Sequence, residues 1–473
     1  MRGARAWGVA LGACGLLAGC TLAPFYTRPK FDVPGDFSAS PASAAAAWPD
    51  DGWWQSFHSP ELDDLMVRAR TFNDDLAAAA ARVIQADAQV SVQGSPLLPS
   101  LTGSGTATYD RAGLGRRTAG YGGSHYLDNR SYGVPLQVSY DLDLFGRNRA
   151  LLESAQATAI STRFDQSTVA LAVESSVGST YFQVLAGQDR LRVAERNLHS
   201  AEQILAAYRA RLAAGTASLL DVSQQEALVA AERANLPSYR NTIEQNRIAL
   251  GILVGLPPER LNIVGGSLEK LPVPLVAPGL PSELLARRPD VAYAEASLVA
   301  ENANVRAARA AFYPTIQLTA SGGLSSTALS AITGPGTLVA SLGASIVQPI
   351  FDNGLRRGQY EAAEGRYIEL LANYRKSVLQ AFTDVEQALV ALQFYTEQER
   401  LEQEAVTVAQ RSADIAQAQL QAGTIDIITS LNTQTTLYND LDALTQIRLS
   451  RFQALLNVYK ALGGGFSVTG ALI

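Results

Sequence analysis

Hydrophobic residues recur at every seventh position along a long stretch of the chain. They are Val177, Val184, Leu191, Leu198, Leu205 and Leu212. Positions three residues further on hold mostly small residues, which lets neighbouring helices approach closely. No proline interrupts the chain from Arg147 to Leu212, and these roughly 65 residues correspond to about 100 Å of helix at 1.5 Å per residue. A strict seven-residue period predicts long helices that supercoil in left-handed, antiparallel pairs.

A short motif at the end of this stretch occurs twice. Leu212-Ala213-Ala214-Gly215-Thr216 is matched by Leu420-Gln421-Ala422-Gly423-Thr424, an offset of 208 (420 less 212). The same offset moves the seven-residue pattern onto Val385, Leu392, Glu399, Val406, Ala413 and Leu420, with Glu399 as its only break. Such self-similarity indicates that one supersecondary unit was used twice. In each copy, we expect a helical hairpin to turn at the Gly-Thr pair.

The duplication divides the chain into segments. We predict a first structural repeat over residues 59–260 and a second over residues 282–463. The stretch 261–281 is rich in proline, which indicates an extended linker between the repeats. Residues 464–473 form a C-terminal tail.

Shorter segments in each repeat alternate hydrophobic and polar residues, the pattern of a β-strand with two different faces. The predicted strands cover about residues 99–110, 131–143, 314–324 and 337–350. Each has about the length that a tilted strand needs to cross a membrane. Four strands cannot close a barrel, since about eight is the smallest number that does, so subunits must combine their strands. The fold class that follows is an α+β membrane protein that assembles as an oligomer.

The N-terminus has the pattern of an export signal. Arginines precede an apolar run from Ala6 to Gly19 that is too short to span a bilayer, so residues 1–19 are predicted to be a signal peptide. The run ends in Leu17-Ala18-Gly19-Cys20, which resembles the lipobox of bacterial lipoproteins. The resemblance implies that Cys20 carries a lipid and begins the mature chain. The alternative is an ordinary signal peptide with an incidental cysteine.

Two further expectations follow from a lipidated Cys20. Residues 20–58 would form an N-terminal, lipidated extended segment. Thr21 stands where an aspartate retains lipoproteins at the inner membrane, so the resemblance favours the outer membrane.

The composition and the missing motifs argue against several classes of function. The net charge is -6 with no basic stripe, which removes the electrostatic reason to expect a nucleic-acid partner. The three histidines, His58, His125 and His199, have no second His or Cys at metal-ligand spacing, so we expect neither a metal site nor a cofactor. No clustered polar site indicates an enzyme. The chain also lacks a phosphate-binding Gly-x4-Gly-Lys-Ser/Thr loop, so energy for any transport must come from elsewhere.

Two stretches carry a family resemblance. Trp53-Trp54-Gln55-Ser56-Phe57 is one, and Leu285-Ala286-Arg287-Arg288-Pro289-Asp290-Val291 is the other. The chain thereby resembles the TolC-like outer membrane factors, in particular the NodT-type lipoprotein branch. The resemblance implies a homotrimer whose strands complete one twelve-stranded transmembrane β-barrel, while its long helices form an α-barrel through the periplasm. It also implies a passive efflux duct that works with a periplasmic adaptor protein and a proton-driven inner membrane pump of the resistance-nodulation-division class.

The resemblance places a gate at the periplasmic tip, near the turns at Gly215, Thr216, Gly423 and Thr424. Some family members close this tip with rings of aspartate, which align with Thr429 and Asn432 of this chain. Because both charges are missing, we expect an apolar ring at Ile428 with Asn432 beside it, which would exclude water. Asp221 matches a tip aspartate of the family, and Asp426 is the nearest carboxylate in the second repeat.

The candidate gate residues also have simpler interpretations. Asp221 and Asp426 could cap helix N-termini, and Ile428 could be ordinary packing between paired helices. For the whole chain, the alternatives to an efflux duct are an outlet for type I protein secretion and a coiled-coil lipoprotein scaffold that transports nothing.

Overall fold

The structure is a computed structural model, and it describes residues 26–31, 37, 48–113, 126–274 and 281–466. Its helices are α1 (Pro60–Phe72), α2 (Asp74–Gly94), α3 (Arg147–Ala213), α4 (Leu219–Leu253), α5 (Pro281–Leu284), α6 (Pro289–Ala310), α7 (Leu355–Ala422) and α8 (Ile427–Ala461). Its strands are β1 (Ser100–Gly103), β2 (Thr106–Gly113), β3 (Tyr126–Leu142), β4 (Thr315–Ser326) and β5 (Leu338–Val347). The predicted signal peptide, Cys20, most of the predicted tail and residues 275–280 of the predicted linker lie outside the described residues.

The chain divides into two compact units. The strand unit consists of Met1–Pro29, Ile84–Ile160 and Glu295–Asn373. The helix unit consists of Lys30–Val83, Ser161–Ala294 and Tyr374–Ile473. Within the part of the chain that the structure describes, no helix has the length and apolarity needed to cross a membrane.

The strand unit contains one antiparallel sheet. β1 and β2 both pair with β3, which pairs with β4, which pairs with β5. Hydroxyl pairs line one face, including Ser100 with Ser139 at 2.8 Å and Ser321 with Ser341 at 2.7 Å. The other face presents apolar side chains such as Leu342, which is 87% exposed. The predicted alternation is therefore present in the structure.

The first predicted strand differs from the observed one. Instead of one strand over residues 99–110, the chain forms β1 and β2 with a break at Ser104 and Gly105. Glycine has no side chain to pack and weakens a strand at this point. β3 is longer than predicted, because the stretch Tyr126–Arg130 continues the pairing with β2. That stretch reads Tyr-Leu-Asp-Asn-Arg and has no alternating pattern, so hydrophobicity gave no sign of it.

The long helices of the two repeats are equivalent in length and spacing. α3 has 67 residues and α7 has 68, while α4 and α8 have 35 each. Equivalent helices start 208 residues apart, from Arg147 to Leu355 and from Leu219 to Ile427. The offset read from the short motif therefore describes the whole hairpins.

An aromatic cluster forms the core of the helix unit. The short 3₁₀ turn Trp53–Phe57 inserts its aromatic side chains between α3 and α8. Trp53 stacks on Tyr459 with ring centroids 4.9 Å apart, and the fully buried Phe57 contacts Phe182 at 5.1 Å. The first stretch of the family resemblance is thus a packing element.

The second stretch of the resemblance also has a structural part. The Arg288 guanidinium is buried and pairs with Asp290 at 2.6 Å and with Asp384 at 2.9 Å. It also donates to the carbonyl oxygen of Ala461 near the end of α8. Arg288 therefore ties the start of α6 to α7 and α8.

Candidate gate at the helical tips

The two hairpins turn with the same geometry. Gly215 has a φ of 73° and Gly423 a φ of 75°, in the left-handed region that side chains other than glycine rarely adopt. Each glycine N–H donates to a leucine carbonyl three residues back, at 3.0 and 3.1 Å, and the N–H groups of Thr216 and Thr424 each donate at 2.9 Å to a carbonyl five residues back. This pairing satisfies carbonyl groups that a helix C-terminus otherwise leaves open.

Both candidate aspartates cap the helices that follow the turns. The Ser218 N–H donates to the Asp221 carboxylate at 2.8 Å, while the Asp221 N–H donates to the Ser218 hydroxyl at 3.1 Å, which is a capping box. Asp426 accepts the Thr429 N–H at 2.8 Å and the Thr429 hydroxyl at 3.1 Å. The backbone N–H of Thr429 holds the pKa of the Asp426 carboxyl below its usual range. The capping alternative is therefore what the structure shows for both residues, and a role for them in the gate stays a prediction.

Ile428 is exposed within the subunit, whereas the adjacent Ile427 is buried. Ile427 is 5% exposed within the subunit, whereas Ile428 is 54% exposed. Asn432, one helical turn further along α8, is exposed as well, and so is Thr429. Inside one subunit, Ile428 is thus not an ordinary packing residue, which leaves an apolar side chain at the tip for another molecule to cover. An apolar ring at Ile428 stays a prediction.

Sequence reasoning missed the equivalent apolar residues in the first repeat. Leu219 and Leu220 follow the first turn and are 70% and 66% exposed. The 208-residue offset relates Leu220 to Ile428, so the duplication contained the signal. Both hairpins therefore present an exposed aliphatic side chain one residue into the returning helix.

Arg211 was missed too, and it joins the two tips. Its guanidinium donates to the carbonyl oxygens of Leu420 at 3.0 Å and Gln421 at 3.1 Å, at the end of α7. The same guanidinium lies 5.9 Å from the centroid of the Tyr208 ring. The offset places Gln419 at the position equivalent to Arg211, so comparison of the repeats gave no sign of this contact.

A second polar cluster joins the hairpins further from the tips. Arg190 of α3 pairs with both carboxylate oxygens of Asp442 in α8, at 2.6 and 3.0 Å. The hydroxyls of Tyr239 in α4 and Tyr438 in α8 are 2.8 Å apart, and burial raises the pKa of Tyr438 well above its usual value. Among the described residues, no group of three or more His, Cys, Asp or Glu side chains could hold a metal ion. The Arg190–Asp442 pair and the two tyrosine hydroxyls thus join helices of the two hairpins.

The fold is that of an outer membrane channel subunit. The structure described as the outer-membrane channel OprN matches this one with a TM-score of 0.88, covering 94% of this chain and 99% of that chain at 27% sequence identity. The predicted combination of long helices with a small antiparallel sheet is confirmed.

Sequence comparison gives the family. A family model for outer membrane efflux proteins matches residues 65–256 and 280–464, so the chain belongs to this family. The chain is 38% identical over 460 residues to the pyoverdine export outer membrane protein OpmQ of Pseudomonas aeruginosa, covering 96% of each chain. It is 32% identical over 462 residues to the toluene efflux pump outer membrane protein TtgC of Pseudomonas putida, covering 95% of this chain and 94% of that one. The predicted function as an efflux channel protein of the outer membrane is confirmed.

Proposed function

We propose that three copies of this chain form one passive export duct whose periplasmic end is closed by apolar side chains. The observation that supports this most directly is the pair of exposed residues Leu220 and Ile428, at equivalent places beside two turns that Arg211 holds together. In a trimer, each residue occurs three times around the axis. Aliphatic rings of this kind exclude water from a narrow opening and so block ions without binding them.

The strands support the same assembly. In the part of the chain that the structure describes, one subunit supplies β3, β4, β5 and the interrupted strand β1–β2, which is half of what the smallest barrel needs. Three chains would together close a twelve-stranded barrel, with the exposed apolar side chains around Leu342 facing lipid and the hydroxyl pairs facing the duct.

The proposed partner proteins supply the energy source that the sequence of this chain does not show. Without a nucleotide-binding loop in its sequence, a duct depends on an energised pump in the inner membrane. We propose a proton-driven pump of the resistance-nodulation-division class, joined to the tips by a periplasmic adaptor protein. A lipid on Cys20 would add a second attachment to the outer membrane.

The cargo is proposed to be a small organic molecule delivered by the pump. The two relatives named above export compounds as different as pyoverdine and toluene, by their names. A duct that serves such different compounds selects little by itself. The pump would then choose the substrate.

Conductance through planar bilayers tests the closed tip. Ile428→Ser should raise the resting conductance of the purified protein, because a hydroxyl allows water to enter the constriction. Ile368→Ser is the matched control, since Ile368 is also exposed (65%) but lies in the strand unit. An Ile428→Ser channel that conducts no more than the control would refute the apolar gate.

A further inference from the structure

The helix unit contains a polar cavity between α7 and α8, beside the residue that precedes α6. Its volume is about 380 Å³, which is within the range of sites that hold small organic molecules. The polar side chains of its lining are those of Arg288, Asp384, Gln387, Asn457 and Lys460. All five residues belong to the helix unit.

Three of these side chains are open to a ligand. Arg288 and Asp384 are already paired with each other, and Arg288 has a second carboxylate partner, so its charge is balanced. Gln387, Asn457 and Lys460 are exposed, and their side chains form none of the described hydrogen bonds or ion pairs. The cavity therefore presents one ammonium group, without a counter-ion among the described residues, beside two amide groups.

The cavity opens on one particular side of α8. The opposite side is covered by the Trp53–Phe57 turn, where Tyr459 stacks on the first tryptophan at 4.9 Å and Phe452 lies 6.0 Å from the last ring. Asn457 and Ala461, which both line the cavity, are each two residues from Tyr459. At about 100° per residue, both lie about 160° away from Tyr459 around the helix.

The linker between the repeats lies on the covered side as well. Its Glu269 carboxylate is 3.7 Å from the guanidinium of Arg448 in α8. Arg448 precedes Tyr459 by eleven residues, or three turns, and so points in nearly the same direction. A passive duct must keep its lumen free for cargo, so its covering segments belong on the outside of the wall. The cavity then faces the lumen.

We propose that this cavity is a weak binding site for exported organic acids that also carry amide or hydroxyl groups. The Lys460 ammonium group pairs with the carboxylate of the cargo, in a charge-assisted hydrogen bond. The amides of Gln387 and Asn457 bond its remaining polar groups. This inference rests on the duct proposed above, in which three such cavities lie at one level around the lumen.

The open position of the cavity keeps the binding weak. Gln387, Asn457 and Lys460 are all accessible to water, which competes for each of their hydrogen bonds. A site along a conducting path must also release what it binds, or transport stops. The cavity therefore raises the local concentration of acidic cargo, while the pump still determines which compound enters the duct.

Saturation-transfer NMR on the full-length protein in detergent tests the site, because this method detects weak ligands of large particles. The probe is N-acetylglycine, which has a carboxylate and an amide group. Its uncharged counterpart, N-acetylglycine amide, is the matched control probe. The unmodified protein should bind N-acetylglycine the more tightly of the two.

Variants of Lys460 assign the contact. Lys460→Gln should weaken binding of N-acetylglycine about threefold to tenfold, since it removes the charged donor. Lys460→Arg keeps the charge and should retain binding. Lys270→Gln is the matched control, because Lys270 is an exposed lysine of the linker on the covered side. Size-exclusion chromatography shows whether each variant assembles as the unmodified protein does.

The outcomes separate this inference from the proposed function. Equal affinity for the two probes, or equal affinity of Lys460→Gln and Lys270→Gln for N-acetylglycine, would overturn the binding site. A channel that conducts in planar bilayers would leave the duct intact in that case. Protein that binds N-acetylglycine through Lys460 but never conducts, even with Ile428→Ser at the tip, would instead overturn the duct.

Discussion

The guanidinium of Arg211 lies 3.0 Å from the carbonyl oxygen of Leu420, so the end of α3 is hydrogen-bonded to the end of α7. The Leu420 carbonyl also accepts the Gly423 N–H, so Arg211 adds a second, charged donor at the C-terminus of α7, where a positive charge is favourable. One side chain therefore connects the tips of the two hairpins.

Replacing Arg211 should loosen the tips. Arg211→Gln shortens the side chain and removes the charge, at an expected cost of about 1 kcal/mol in the free energy of unfolding. The resting conductance should rise, because the hairpins then separate more easily. Arg209→Gln is the control, since Arg209 forms an exposed ion pair with Glu226 within one hairpin. Equal conductance of the two variants would count against a connecting role for Arg211.

The tip glycines should resist substitution because of their backbone conformation. Gly423→Ala should destabilise the protein by about 1 kcal/mol, since alanine is strained at positive φ. A Cβ at Gly423 would meet no atom within 4 Å, so crowding makes no contribution. Gly365 lies inside α7 with equally open surroundings, and Gly365→Ala should stabilise the helix by about 0.5–1 kcal/mol. Thermal unfolding in detergent measures both, and a change of the same sign in both would contradict the argument.

Glu232 should make stability depend on pH. It is a buried residue of α4, burial raises the pKa of its carboxyl, and its Oε2 atom has no hydrogen-bond partner among the described residues. In the unfolded state, the pKa of a glutamate carboxyl is about 4.3. Below that pH, Glu232 is protonated in both the folded and the unfolded state, and the folded protein has its full stability with respect to this group. As the pH rises through the folded-state pKa, the unfolded state ionises first and the folded state loses stability.

The variant Glu232→Gln removes this titration. Its unfolding midpoint should exceed that of the unmodified protein near pH 7 and match it near pH 4. Glu226→Gln, which removes an exposed carboxylate from the same helix, is the matched control. A Glu232→Gln protein that is less stable than the original near pH 7 would show that the charged form is needed.

An arginine substitution should impair assembly on one face of the sheet and be tolerated on the other. Leu342→Arg places a cation on the exposed apolar face of β5, which costs about 2–4 kcal/mol near the middle of a bilayer. Less assembled protein should then reach the outer membrane fraction. Ser345→Arg lies on the opposite face of the same strand and should be tolerated. Equal yields of the two variants would argue against lipid contact at Leu342.

The repeated motif and the seven-residue pattern predicted the helical hairpins well, because the packed positions of supercoiled helices recur at a fixed spacing in the sequence. The break between β1 and β2 was missed, since an alternating pattern does not reveal where a glycine interrupts a ladder. Which apolar residues of α7 the subunit covers was also hidden: Leu392 packs against the aromatic core, whereas Phe394 is 66% exposed. Phe394 and Leu392 look alike in the sequence, and only the positions of the neighbouring helices distinguish them.

Among the tip residues, those with a repeat partner were accessible to prediction and those without were not. Gly215 and Gly423 are related by the offset, and both form the expected turn. Arg211 has no such partner, and its bond depends on how two hairpins meet. The capping of α8 by Asp426 depends only on nearby residues, so it could be proposed from the sequence as an alternative to a role in the gate.

The aromatic core has a consequence for how the chain folds. The hydroxyls of Ser56 and Tyr459 lie 3.2 Å apart, although 403 residues separate them in sequence. Contacts between such distant residues form slowly, because a large loop must close before they give any stability. During export, the aromatic residues of the Trp53–Phe57 turn cannot contact α8 until nearly all of the polypeptide has crossed the inner membrane. The nascent protein therefore needs protection from aggregation until its last helix arrives.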